Sequence, residues 1–127
     1  MVDSRAKGKR GELEAVAYLK ELGFRDCERT AQRWGKGLSD VVCGSLPNVH
    51  IEIKFGYDEK ALFVGSAVWR AAIKQASNDC EDKSWCVLWR CKGKHRWFLS
   101  FRSAEPDCVC TVGTDQGIAR CLEWMNY

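Results

Sequence analysis

The seven residues Val49-His50-Ile51-Glu52-Ile53-Lys54-Phe55 constrain this chain more than any other stretch. Successive side chains of a β-strand point to opposite faces. Val49, Ile51, Ile53 and Phe55 therefore share one face, and His50, Glu52 and Lys54 the other. β-Branched residues at this period commit the segment to a sheet. Helical patterns flank it. Residues 4–22 carry Ala15, Tyr18, Leu19 and Leu22 at i, i+3, i+4, i+7 spacing, with Ser4 a candidate N-cap and Gly23 a stop signal. Residues 65–78 place Trp69, Ala72, Ile73 and Ala76 on one face, bordered by Lys74 and Gln75, and residues 115–125 read as a last helix.

The remaining strands fall at 24–30, weakly, and at 40–43, joined to 49–55 by the turn Ser45-Leu46-Pro47-Asn48. Two more, 85–91 and 96–102, flank a Lys92-Gly93-Lys94 turn. In the second of these Trp97, Leu99 and Phe101 oppose Arg96, Phe98, Ser100 and Arg102. Residues 31–39 hold two glycines, two cations and Trp34, and read as a flexible loop. The order α-β-β-β-α-β-β-α predicts an α/β fold, with helices packed on one mixed sheet.

At 127 residues the chain is expected to form one domain over 1–127, with a core that needs no disulfide staples. No apolar run approaches the ~20 residues of a membrane span, and the N-terminus lacks a signal peptide's apolar centre. The expected location is the cytoplasm, in the nucleoid space of a prokaryote or the host cytoplasm of a virus, with no membrane contact. Arg5, Lys7, Lys9 and Arg10 against Asp3 put the whole net charge of +3 into the first ten residues. A basic flexible arm (1–7) on a neutral body suits a polyanion; a solvated, frayed tail is the alternative. The eight cysteines show no CxxC, only Cys108-Val109-Cys110, and the two histidines no HxxxH. Cys43, Cys86 and Cys91 lie in apolar runs, so most cysteines are expected to be buried thiols rather than zinc ligands or disulfides.

Glu52 and Lys54 project side by side from an otherwise apolar strand. Asp40, twelve residues before Glu52, ends the Gly-rich loop and opens the preceding strand. An Asp followed by Glu-x-Lys on paired strands is the site arrangement of metal-dependent nucleases. The spacing alone is weak, because the chain has two further acid-x-Lys triplets, Asp58-Glu59-Lys60 and Glu81-Asp82-Lys83. Both lie in polar stretches without periodicity and read as solvated turns. Glu12 tops the apolar stripe of the first helix, on the face of Ala15, Val16 and Leu19, whereas Glu14 faces Ala17, Tyr18 and Glu21. Glu12 is thus the better candidate for a functional acid, with stabilisation of the helix N-terminus as the alternative.

The stretch Lys7-Gly8-Lys9-Arg10-Gly11-Glu12, the helix closing at Leu22-Gly23-Phe24, then Asp40 and the Glu52-x-Lys54 strand follow in one order. This order resembles archaeal-type Holliday junction resolvases of the PD-(D/E)xK nuclease superfamily. The similarity continues through Leu62-Phe63-Val64-Gly65 and fades after about residue 102. It implies a restriction-endonuclease-like αβββαβ core, a central mixed sheet flanked by helices, with an extra C-terminal helix. It also implies a metal-dependent endonuclease of four-way DNA, working as a homodimer, because a near-twofold junction calls for two related sites. The loop before Asp40, with Trp34, is longer than in that family.

Phosphodiester hydrolysis needs an activated water, neutralised phosphate charge and a stabilised leaving oxygen. All three are met by Mg²⁺ (Mn²⁺ able to substitute) held by carboxylates with water positions left open. Asp40, Glu52 and the Ile53 carbonyl are the expected ligands, and the resemblance adds Glu12. Lys54 would orient or deprotonate the attacking water. Arg5, Lys7, Lys9, Arg10, Arg29, Arg33 and Lys36 are the candidate phosphate contacts, with Ser39 or Thr30 as donors. Trp34 would stack on an unpaired base or pack on its own loop. Gln75 either reaches the site or is an ordinary surface residue, and His50 reads as peripheral. The second helix and the aromatic strand 97–101 are candidate dimer surfaces. Alternatives are the same site acting on flaps, single strands or duplex, a catalytically silent DNA-binding module, or a protein-interaction domain.

Overall fold

The computed structural model describes residues 4–30, 39–58, 66–93, 96–104 and 108–127, and for residues 4–7 the backbone alone. The elements are α1 (Ser4–Glu21), β1 (Cys27–Arg29), β2 (Val41–Cys43), β3 (Val49–Tyr57), α2 (Ala67–Asp79), β4 (Ser84–Cys91), β5 (Trp97–Arg102), β6 (Val109–Val112) and α3 (Asp115–Met125). The strands form one mixed sheet in the order β1-β2-β3-β4-β5-β6. All neighbours are antiparallel except β3 and β4, which are parallel and joined through α2. A parallel pair requires such a crossover, because a tight turn cannot reverse the chain twice.

Local chemistry sets the helix ends. Gly23 (φ 110°) closes α1 in a Schellman turn, donating to the Lys20 carbonyl (3.0 Å) while Phe24 N–H donates to that of Leu19 (3.0 Å). Ser66 caps α2 by accepting from Trp69 N–H (3.1 Å), and Thr114 caps α3 by accepting from Gly117 N–H (3.0 Å). Gly11 has a different role. A Cβ there would meet the Phe55 Cβ at 2.5 Å, so only glycine lets α1 lie this close over the end of β3.

The sheet is covered on both faces. Ala15, Tyr18 and Leu19 of α1 and Ile118, Leu122 and Met125 of α3 pack with Val49, Ile51, Cys86, Leu88, Leu99 and Phe101. Tyr18 links the two helices' surroundings by donating to Asp115 (2.8 Å) and stacking on Trp97 (5.1 Å). On the opposite face Trp69, Ala72 and Ala76 of α2 pack with Trp85, Val87 and Trp89. No helix among the described residues is long and apolar enough to cross a membrane.

Four expectations are corrected. Residues 1–7 are not a free arm throughout, since α1 starts at Ser4. The short strand β6 was not foreseen; its half-exposed Val-Cys-Thr-Val lacks a clear alternation. The aromatic strand considered as a dimer surface is core, with Trp97, Leu99 and Phe101 all buried under α1 and α3. Cys27 and Cys43, opposite each other on β1 and β2, form a disulfide. Cys80, Cys86 and Cys91 are the expected buried thiols, while Cys108 and Cys110 are exposed.

Leu88 is fully buried on a central strand. Leu88→Ala is expected to cost about 2–5 kcal/mol through lost burial and the cavity left behind. Urea unfolding checks this, and a loss well under 1 kcal/mol would mean that the core closes over the gap.

Candidate active site

The site forms where β2 and β3 part. Val41 lies opposite Ile51, so the antiparallel register sets Asp40 across from Glu52. Asp40 N–H still donates to the Ile51 carbonyl (3.0 Å). Two β3 N–H groups on that side also reach side chains. Ile51 N–H donates to Ser39 Oγ (3.3 Å) and Ile53 N–H to Asp40 Oδ2 (2.8 Å). At Ile53 a side-chain oxygen thus takes the place of the carbonyl that a longer β2 would have supplied. The N–H and C=O of one strand residue point to the same side, so the Ile53 carbonyl faces the same opening. β1 is tied in as well, by Thr30 N–H donating to the Asp40 carbonyl (3.1 Å).

Acids approach this opening from three elements. Asp40 precedes β2, Glu52 lies on the α2-facing side of β3, and Glu12 comes from α1. Glu52 is 2% exposed and accepts from His50 Nε2 through Oε1 (2.7 Å). Glu12 Oε1 accepts from Arg29 Nε (2.6 Å). Asp40 is pushed up to about 7, first by burial and then by the charge of Glu52; its bond from Ile53 N–H opposes the rise, and Glu12 adds to it. Lys54 Nζ donates to Gln75 Oε1 of α2 (3.2 Å), so Gln75 does reach the site region while remaining exposed.

This donor set fits a hard divalent cation. Mg²⁺ favours oxygen ligands and keeps several waters, so one or two carboxylates and a carbonyl suffice. Among the described residues no three His, Cys, Asp or Glu side chains close into a ready cage, which is compatible with that habit. Asp40 and Glu52 repel each other unless a proton or a cation lies between them.

Other expected residues fare differently. Ser39, named as a DNA contact, is 4% exposed, and its hydroxyl is engaged with His50 Nδ1 (2.9 Å) and Ile51 N–H, so it cannot meet a phosphate. Thr30 Oγ1 is buried and has no partner among the described residues. Arg29 is paired with Glu12 rather than free. Lys9 is exposed, and Arg10 stacks over the Phe55 ring (5.1 Å). Arg5 and Lys7 lie near the start of α1. Arg33, Trp34 and Lys36 fall outside the described residues.

Sequence reasoning missed His50 as part of the site. It is 2% exposed and bridges Ser39 to Glu52. Its position two residues before Glu52, on the same strand face, was the available signal. Arg90 and Lys92 were also missed. With Arg10, Glu14, Phe55 and Gly56 they line a groove of about 320 Å³ beside the C-terminal part of β3, and Arg90 pairs with Glu14 (3.3 Å).

The raised value of Asp40 means that the folded state holds this proton more tightly than the unfolded chain does. The resulting stabilisation is complete below the ordinary value of 3.8 and is lost as pH rises through about 7. Metal-free protein is therefore expected to weaken over that window, by at most about 1.4 kcal/mol per pH unit, and Asp40→Asn to flatten the slope. Urea midpoints measured at several pH values check it; an unchanged slope in the variant would assign the proton to another group.

No protein-family model, curated protein or solved structure matches the chain, so a functional reading rests on the sequence pattern and on this geometry.

Proposed function

We propose that the chain is a Mg²⁺-dependent endodeoxyribonuclease that cleaves phosphodiester bonds in branched DNA, resembling the archaeal-type Holliday junction resolvases. The observation that carries the reading is the facing pair Asp40 and Glu52 at the parted edge of β2 and β3, with Lys54 two residues past Glu52 on the same strand face. The element order supports it. α1, the antiparallel β1-β2-β3, the crossover α2 and the parallel β4 agree with the αβββαβ core of restriction-endonuclease-like enzymes.

Asp40, Glu52 and the Ile53 carbonyl would hold the cation, and Glu12 would act through water or a second ion. When bound, the cation neutralises phosphate charge and makes a water nucleophilic at neutral pH. Lys54 orients that water and offsets charge developing on the phosphate. Its bond to Gln75 is exposed, so the ammonium is held against α2 yet can turn to a substrate. Lys9 and Arg10 on α1 and the groove with Arg90 and Lys92 supply cationic surface for the DNA backbone. Two incisions in a near-twofold junction call for a C2 homodimer.

The test is incubation with Mg²⁺ and labelled four-way junction, flap, single-stranded and linear duplex DNA, with Glu52→Gln as control. Paired symmetric nicks in the junction alone, absent from the control, are expected. Cutting of flaps or duplex instead would retain the site and move the substrate, and cutting unaffected by Glu52→Gln would refute the site. Lys54→Ala is expected to slow cleavage by ~10²–10⁴ while junction binding holds. Lys9→Ala is expected to lower the slope of log affinity against log salt by about 0.9, read by filter binding at several salt concentrations.

A further inference from the structure

Three consecutive hydrogen bonds lead from the backbone of β3 to Glu52. Ile51 N–H, which can only donate, takes a lone pair of Ser39 Oγ (3.3 Å). The Ser39 hydroxyl lies 2.9 Å from His50 Nδ1, and His50 Nε2 lies 2.7 Å from Glu52 Oε1. An ionised Glu52 carboxylate can only accept, so Nε2 donates to it, and Nδ1 of the neutral imidazole then accepts from the Ser39 hydroxyl. Ser39, His50 and Glu52 are 4%, 2% and 2% exposed. Water does not compete for these bonds, and each member has its partner within the protein.

We infer that His50 is a positioning residue for the cation site, fixing the Glu52 carboxylate by one oxygen so that the other is presented towards Asp40. This inference rests on the reading of Asp40 and Glu52 as cation ligands. Ser39 and Asp40 are adjacent, and one dipeptide therefore orients both acids: Asp40 through its own bond to Ile53 N–H (2.8 Å), and Glu52 through Ser39 and His50. The separation of the two ligands is set before a cation arrives, which reduces the ordering that binding would otherwise require. Hydrogen bonds to ligating carboxylates tune metal affinity by about 10–100-fold. His50 has the burial and the bond length for that role. A leucine there fills similar space but donates nothing, whereas a glutamine keeps an N–H donor close to the Nε2 position.

The experiment measures Mn²⁺ binding by calorimetry in the full chain without DNA, and then the Mg²⁺ dependence of cleavage. His50→Leu is expected to weaken Mn²⁺ binding by about 10–100-fold and to raise the Mg²⁺ concentration for half-maximal cleavage by the same factor, with the limiting rate recovering at high Mg²⁺. His50→Gln is expected to restore most of the affinity. Wild-type affinity in His50→Leu overturns the inference, as does a glutamine variant as weak as the leucine one, since packing alone would then explain the site. Should His50→Leu fail to fold, Ser39→Ala cuts the same chain one link earlier; weaker Mn²⁺ binding supports the inference and unchanged binding overturns it. Glu52→Gln separates the two levels. If it binds Mn²⁺ as the wild type does, the cation site itself is misassigned, whereas loss of binding there with intact binding in the His50 variants sinks only the role of His50.

Discussion

Everything at the site depends on the register of β2 against β3. Val41 stands opposite Ile51, and this brings Ser39 and Asp40 alongside the β3 residues whose N–H groups need partners. A slip of one residue would turn every β2 side chain to the other face. Val41 and Cys43 would leave the core that they now share with Ala15, Leu19 and Ile51, and Asp40 would lose Ile53. The hydrophobic face of a three-residue strand thus holds a polar arrangement in place. The Cys27–Cys43 disulfide crosses the neighbouring pair of strands in the same register.

The second constraint is that both faces of the sheet are covered. The polar side of β3 does not meet bulk water along its length but passes under α2, and His50 and Glu52 are buried there. A buried carboxylate is costly without a partner, which accounts for the tight bond between them and for the upward shift of Asp40 beside them. The same exclusion of water strengthens any electrostatic interaction with a bound cation or phosphate. Lys54 escapes this burial because it lies further along β3, where Gln75 on the exposed side of α2 meets it. Burial thus drops along one strand face, from the enclosed His50 and Glu52 to the half-buried Lys54.

Much of the fold was legible from periodicity. The alternating run at 49–55, the apolar stripes of the first two helices, the last helix at 115–125 and the stop at Gly23 match observed elements to within a few residues. These signals are local, set by side-chain spacing, caps and turn residues. The strand β6 was missed because four half-exposed edge residues need no regular alternation; β5 holds them through backbone pairing that any side chain allows. The cysteines misled for a similar reason. Cys27 and Cys43 are sixteen residues apart, and only the β1-β2 register makes them neighbours.

The order of residues by itself determined an α/β chain with an acid-and-lysine strand at its centre and a basic N-terminal stretch, because period, capping and charge placement act over one or two turns. Tertiary structure decided which polar residues belong together. It moved Ser39 from the surface to a buried link and His50 from the periphery to the side of Glu52, and it paired Arg29 with Glu12. It also raised Asp40 by setting it against Glu52. These outcomes depend on strand register and on how deeply two helices cover a sheet. Both are contacts between distant segments, and no local spacing encodes them.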